Sequence, residues 1–494
     1  MLKTVPASAP AEPEPVPEPE PGHGFGELLR NSAVFALGQV TAKVVGVLLL
    51  PFLTRALTPG DFGRLDVLST LATTVTSVLV LGLDIAATRL YPELTDTERR
   101  RLFGTWLAIA AAVLLPTVLV LVAGAGAISR LLFGTSNEAL GVAMVGVFAA
   151  ANLSQVIGLT ALRNQGRART YAAASMTAVL VNGLAVVVLV SVSPGAGPAM
   201  VGVAMGAAVG ATGSLFMARR LAFGGRPSAA SGKALLALGL PLVPALAATW
   251  IGDFANRAIL LGASGETQVG LLSVAIRFGS VGVLVVTGFQ LAWMPRAFAQ
   301  AERPEALPRI ARDAERIIVA VTAALLPMAV FAPELLRLVA GSDYDGARPA
   351  VGFSLVTTVG LALVTIAGMP SALGKRMRDI GAAGTAGALT AVVANVAFGR
   401  MWGATGTSAA LALGQATALA VVLTLSRRPG RATLPLRWSH LARPAAAMVV
   451  LALVCTLSSS PGVALRLAAG AAFCAVLLAD PSTRRSVRLR SGRP

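Results

Sequence analysis

Only two cysteines, two histidines and three tyrosines occur in this chain of 494 residues. Cys455 and Cys474 each lie inside an apolar run, so no disulfide framework and no thiolate metal site is expected, and both read as small buried residues. His23 and His440 sit in separate polar segments with no second ligand beside them, and no nucleophile–base pair is in view. The sequence thus calls for no cofactor, no metal and no catalytic centre. Charged residues make up 13% of the chain, about half the share usual in soluble domains, which excludes a water-soluble globule. Aromatic residues are also few, at 5%, so the apolar mass comes from Ala, Val, Leu and Gly. Helices rich in small residues pack by close backbone approach, the contact that joins helices in lipid. No Gly-x-x-x-x-Gly-Lys-Ser/Thr loop occurs, which argues against a built-in ATPase.

What the chain has in excess is apolar runs. Mean hydropathy is +0.74, and runs long enough to cross a bilayer fall near 32–54, 63–88, 103–124, 139–162, 171–193, 197–217, 234–256, 269–295, 317–339, 350–370, 380–399, 402–424, 444–459 and 462–480. The expected fold class is therefore an all-α integral membrane protein of about fourteen transmembrane helices. The net charge of +18 would suit nucleic acid, but its placement argues against such a partner. With the N-terminus inside, 31 of the 41 Lys and Arg residues fall in cytoplasmic segments and 8 in outward ones, alternating loop by loop. That asymmetry predicts a multi-pass protein of a bacterial inner membrane with both termini cytoplasmic.

An internal duplication is legible. Gly195-Ala196 recurs as Gly403-Ala404, Gly206 as Gly414 and Arg219-Arg220 as Arg427-Arg428, all at one offset of 208, and Gly63 matches Gly270 nearby. Six helices per repeat, an even number, give two parallel lobes about an axis along the membrane normal. The predicted organisation is a disordered Pro/Glu-rich tail (1–28), an N-terminal lobe (29–220), a basic loop (221–233) and a C-terminal lobe (234–428). A second basic loop (429–443), two extra helices (444–480) and a basic tail (481–494) follow.

Two lobes enclose a cleft that rocking would open to either side, and its polar groups should form stripes. Asp66, Thr70, Thr73, Ser77 and Asp84 recur at helical spacing on the second helix, as do Ser32, Gln39 and Lys43 on the first. Ser273, Arg277, Ser280 and Thr287 mark the eighth, and Asp253 and Asn256 the seventh. A cation facing lipid near the bilayer centre costs ~2.5–3.5 kcal/mol, so Lys43 and Arg277, one per lobe, are expected to face the cleft and hold an anionic substrate. Gln39, Ser280, Thr73 and Asn256 complete the expected substrate site. Asp84, Asp253, Asp66, Arg55 and Arg257 are the candidates for ion coupling or gating, with Asp253 and Arg257, four apart, expected to form an intrahelical pair. The competing account makes Lys43 and Arg277 structural charges, each paired within its own lobe, and Asp66 and Asp84 ordinary carboxylates near helix ends. Asn152, Gln155, Asn182 and Asn395 either line the cleft or join neighbouring helices.

The stretch Leu50-Pro51-Phe52-Leu53-Thr54-Arg55-Ala56-Leu57-Thr58-Pro59-Gly60-Asp61-Phe62-Gly63 resembles the end of helix one and the following loop in polysaccharide-biosynthesis flippases of the Wzx type. These belong to the MOP superfamily with the MATE exporters and lipid II flippases, and the twelve-plus-two helix plan extends the resemblance over 29–480. The resemblance implies a MOP/MATE-like fold and a polyprenyl-pyrophosphate-linked oligosaccharide as substrate. It further implies that cavity cations hold the pyrophosphate, a role that Lys43 and Arg277 fit, with Arg55 as an outer anchor or gate. The expected function is a flippase working by alternating access in surface-glycan biosynthesis, with the bilayer as partner, glycan synthases or polymerases as candidate partners, and a monomeric state. The rival within the class is an ion-coupled exporter of small drugs or metabolites, which usually wants a mid-membrane carboxylate. A membrane glycan polymerase or glycosyltransferase is less favoured, because the outward loops are short and hold no clustered acids or histidines.

Overall fold

A computed structural model describes residues 45–300, 305, 307–374, 376–427, 434–457 and 462–479. The Pro/Glu-rich tail, Gln39 and Lys43 lie outside the described residues. Among those described, regular structure is helical throughout: α1 (Val45–Ala56), α2 (Pro59–Leu79), α3 (Leu83–Leu90), α4 (Asp96–Ala123), α5 (Ala125–Phe133), α6 (Ala139–Asn164), α7 (Ala168–Val192), α8 (Ala196–Met217) and the short α9 (Arg219–Ala222). Then come α10 (Ala229–Gly239), α11 (Val243–Ser264), α12 (Glu266–Gln300), α13 (Leu307–Val330), α14 (Ala332–Ala340), α15 (Arg348–Leu373), α16 (Met377–Ser426), α17 (Trp438–Leu457) and α18 (Val463–Ala479).

Eight of these helices are long and apolar enough to span a bilayer, and ten if each of two bent pairs counts as one span. The expected fourteen runs all meet helix, but not all as separate long helices. The fifty-residue α16 holds two of them, and the described parts of the first and last runs are shorter helices. Leu115, Leu119, Val192 and Val393 are each more than 60% exposed on the outer surface of the bundle. Apolar side chains in such rows find their solvent in lipid, which makes the chain a multi-pass membrane protein.

Local chemistry explains the breaks. Pro333 at the start of α14 cannot donate a backbone N–H, and α13 and α14 meet at 75°. The 41° break between α2 and α3 involves no proline; Leu81 and Gly82 both adopt positive φ (54° and 67°) and end the ladder there. Asp84 therefore belongs to a separate helix and does not continue the α2 stripe of Asp66 and Thr73, which corrects the single face expected from sequence. Within α16 the chain turns at Gly403 (φ 55°, ψ −130°), where a Cβ would lie 2.4 Å from Gln268 Oε1. Gln268 accepts from Ala404 N at 2.9 Å and caps the helix that restarts there.

In the first half of the chain α8 packs on α6 and α7, and α4 on α6; in the second α16 packs on α15 and α11, and α12 on α15. Helix α2 crosses over to α11 and α12. α17 packs against α13 and α15, and α18 against α13 and α17, where Arg466 of α18, only 6% exposed, pairs with Glu334 and donates to the Val330 carbonyl at 3.1 Å. A buried guanidinium needs such partners, and here they tie the last helix to the second half.

Candidate functional site

The two halves meet along α2, α11 and α12, and the Thr58–Gly63 segment builds one end of that seam. Thr58 accepts from Asp61 N at 3.2 Å as N-cap, Pro59 stands in the first turn, and the Asp61 carboxylate accepts from the Thr58 hydroxyl at 2.7 Å. Gly63 and Gly270, matched in the internal repeat, are where α2 and α12 cross. A Cβ on Gly63 would lie 2.0 Å from Glu266 O, and one on Gly270 1.9 Å from Pro59 O. Only glycine lets the two backbones approach this closely.

Around the crossing the ends of the halves are stitched together. Thr54 Oγ1 donates to Val339 O at 3.0 Å, and Arg55 Nη2 to Leu338 O at 3.0 Å, docking the end of α1 on α14. Tyr344 Oη donates to Leu57 O at 3.3 Å, and its ring meets Phe62 edge-on at 6.1 Å. Arg64 of α2 reaches Glu266 at 2.6 Å, Asp61 at 3.3 Å and Glu138 at 3.6 Å. Arg64, Glu138 and Glu266 were not singled out from sequence; each sits singly at a helix start, an ordinary place for a charge, and only the fold gathers them. Burial pushes the Glu138 carboxyl above its usual range, with Arg64 opposing.

One to two turns deeper lies a second layer. Arg257 Nε of α11 meets Asp66 Oδ2 of α2 at 2.6 Å, each side chain 14% exposed. Its Nη1 donates to the main-chain oxygen of Asp253 at 3.1 Å. This corrects the expected Asp253–Arg257 pair: the guanidinium is bonded to its own helix through a carbonyl, which leaves Nε facing the carboxylate on α2. Arg277 of α12 stacks its guanidinium 4.5 Å from the Phe62 ring centroid, and its Nη1 is buried with no hydrogen-bond partner among the described residues. Asp66, Arg257 and Tyr344 are within electrostatic reach of it. Stacking on an aromatic face contributes ~0.5–2 kcal/mol but leaves the N–H groups free to donate.

The remaining expected residues fall elsewhere. Thr73 and Ser280 donate back to their own helices, to Ser69 O and Thr70 O and to Arg277 O. Asp84 lies in the first turn of α3. Asp253 and Asn256 line a cavity of about 240 Å³ inside the second half, with Thr357 and Gln415 among its walls. Asn256 Oδ1 is buried there without a partner among the described residues, while Asn395 donates to the Asn256 carbonyl at 2.8 Å. A similar cavity of about 250 Å³ opens in the first half among Asn152, Gln155, Ser175 and Asn182. Gly206 lines the cavity in the first half and Gly414, 208 residues on, the one in the second, so the duplication places a polar cavity in each half, with a carboxylate among the described lining residues only in the second.

Comparisons with known proteins agree with this geometry. A family model described as polysaccharide biosynthesis protein matches residues 28–300. The fold is similar to a solved structure of the lipid II flippase MurJ in an inward closed conformation, at TM-score 0.69 and 12% identity, covering 93% of this chain and 100% of that one. It is also similar to an inward-facing multidrug resistance MATE family transporter of the MOP superfamily, at TM-score 0.57 and 17% identity over 80% and 93% of the two chains. A MOP superfamily transporter from Pyrococcus furiosus matches at TM-score 0.55 and 18% identity over 81% and 94%. At these identities the likeness is one of fold, the MOP-type bundle. No curated protein matches the sequence.

Proposed function

Because the chain belongs to the polysaccharide biosynthesis protein family, with more than half of its length matched, we propose that it is a flippase. Its cargo is a polyprenyl-pyrophosphate-linked oligosaccharide, carried from the cytoplasmic to the outer leaflet by alternating access. The observation that carries this reading is the layered seam between the halves. At one end backbone contacts, the Arg64 cluster and Tyr344 close the seam, and beneath them lies a buried cation, Arg277, with a donor unused among the described residues. A pyrophosphate supplies the acceptor oxygens that such a donor lacks.

The charge asymmetry along the chain supports a reading in which the closed end lies outside a bacterial inner membrane, with the termini inside. The state described is then closed outward, as a carrier loading from the cytoplasm requires. Arg257 and Asp66 hold the halves together in this state. Asp253, beside Asn256, is the carboxylate set to follow a coupling ion. On this reading the chain carries its substrate and performs no chemistry on it.

The test is leaflet translocation of a fluorescent polyprenyl-pyrophosphate oligosaccharide in proteoliposomes. Wild type should translocate, and folded Arg277→Ala and Lys43→Ala proteins should not. Export of a small cation, with no lipid translocation under any imposed gradient, would sink the flippase reading in favour of the exporter.

A further inference from the structure

A second feature lies at the connector between the two halves, away from the Thr58–Gly63 end of the seam. The connector between the two halves folds back onto α4. A Cβ on Gly104 would lie 2.2 Å from Gly225 O, and one on Gly225 2.3 Å from the Arg100 carbonyl carbon. Ser228 N donates to Thr105 Oγ1 at 2.9 Å. These contacts hold α10 alongside α4 and leave between them an open groove of about 730 Å³, within the range of small-molecule sites. Its walls are Thr105, Ile109, Pro227, Gly232, Leu236 and Leu240, with Lys233 at its edge.

The groove is graded from charge to hydrocarbon. Lys233 lines the groove, and Arg100, Arg101 and Arg226 border it through Gly225, Thr105 and Pro227; all four are exposed, and among the described residues none makes an ion pair or side-chain hydrogen bond, although Glu98 is within electrostatic reach of Arg101. Ile109 follows Arg101 by eight residues, about 12 Å along a helix axis, and Leu240 follows Lys233 by seven, about 10 Å. Both walls therefore run from a cationic rim to an apolar floor. A soluble anion would use only the rim and a neutral acyl chain only the floor.

We propose that this groove is a binding site for an anionic phospholipid of the bordering leaflet, its phosphate on the rim cations and an acyl chain along α4 and α10. Charge complementarity selects the ligand class, since unpaired Lys and Arg at a bilayer surface each attract anionic lipid.

The experiment is native mass spectrometry of the full chain, equilibrated with phosphatidylglycerol or with phosphatidylcholine of the same acyl chains. Phosphatidylglycerol should be retained in preference. The triple variant Arg100→Gln, Arg226→Gln, Lys233→Gln should lose about tenfold or more of that retention. An equally charged control on exposed positions elsewhere, Arg169→Gln, Arg378→Gln, Arg427→Gln, should retain as wild type does. Filling the groove with the charges intact, by Gly232→Leu or Ala237→Leu, should also lower retention; a Cβ at Gly232 meets Thr105 Cγ2 at an ordinary 3.5 Å. Equal retention of the two lipids, equal loss in the control triple, or indifference to both groove-filling variants in proteins of unchanged melting temperature would each overturn the site.

Discussion

Substitution of Gly63 by alanine tests how tightly the seam is closed. The added Cβ would stand 2.0 Å from Glu266 O and 2.8 Å from Gly270 N. Ordinary carbon–oxygen contacts begin near ~3.3 Å, so α2 and α12 must separate by about 1.3 Å at this crossing. Backbone cannot step aside as a side chain can, and overpacking of this kind costs ~1–3 kcal/mol. Because the strain exists only while this end is closed, the same energy shifts the balance of closed and open forms by about 5- to 150-fold. Spin labels placed by Asn137→Cys and Ser342→Cys, exposed positions on opposite sides of that end, report the change by pulsed EPR in a Cys455→Ala, Cys474→Ala background. Gly63→Ala should move the distance distribution to longer values and lower the melting temperature. Gly46→Ala, whose Cβ meets nothing within 4 Å among the described residues, should do neither. An unchanged distribution and melting temperature in Gly63→Ala would refute the argument, because the crossing would then have room to spare.

The Asp66–Arg257 pair is expected to be costly to break on one side: Asp66→Ala leaves a nearly buried guanidinium without its carboxylate, a loss of ~3–5 kcal/mol that should appear in thermal unfolding in detergent. Removing both charges, as Asp66→Ala with Arg257→Leu, should recover much of it; equal melting temperatures for the single and double variants would show that the pair is not coupled. Gly403→Ala should lower the melting temperature by the equivalent of ~1–3 kcal/mol, since it forces a Cβ into a positive-φ corner and onto the Gln268 cap. Burial raises the Glu138 carboxyl above its ordinary 4.5, so the folded protein holds that proton more tightly than the unfolded chain. Its contribution is accordingly most favourable below pH 4.5 and is lost as pH rises through the raised value, and Glu138→Gln should remove that part of the pH dependence of unfolding.

The sequence by itself determined the class of molecule. Apolar runs at bilayer length, cations concentrated in alternate connections and a repeat at one offset need no tertiary knowledge, because each can be read along the chain itself. The paired glycines at 63 and 270 were visible in that repeat, and the Leu50–Gly63 segment carried the family resemblance. Other features were beyond such a reading. Nothing local predicts the break at Leu81, a leucine held at positive φ, and so the polar stripe through Asp84 looked continuous. Spacing alone suggested that Arg257 would bond Asp253, but an arginine that far inside a bundle takes the carboxylate its neighbouring helix presents, and that carboxylate is 191 residues away. Arg64, Glu138 and Glu266 are unremarkable singly and become a cluster only when three helix ends converge. Helix existence follows from energies summed along a few turns, whereas the partner of a buried charge is set by which helix faces it, a property that only the packed fold possesses.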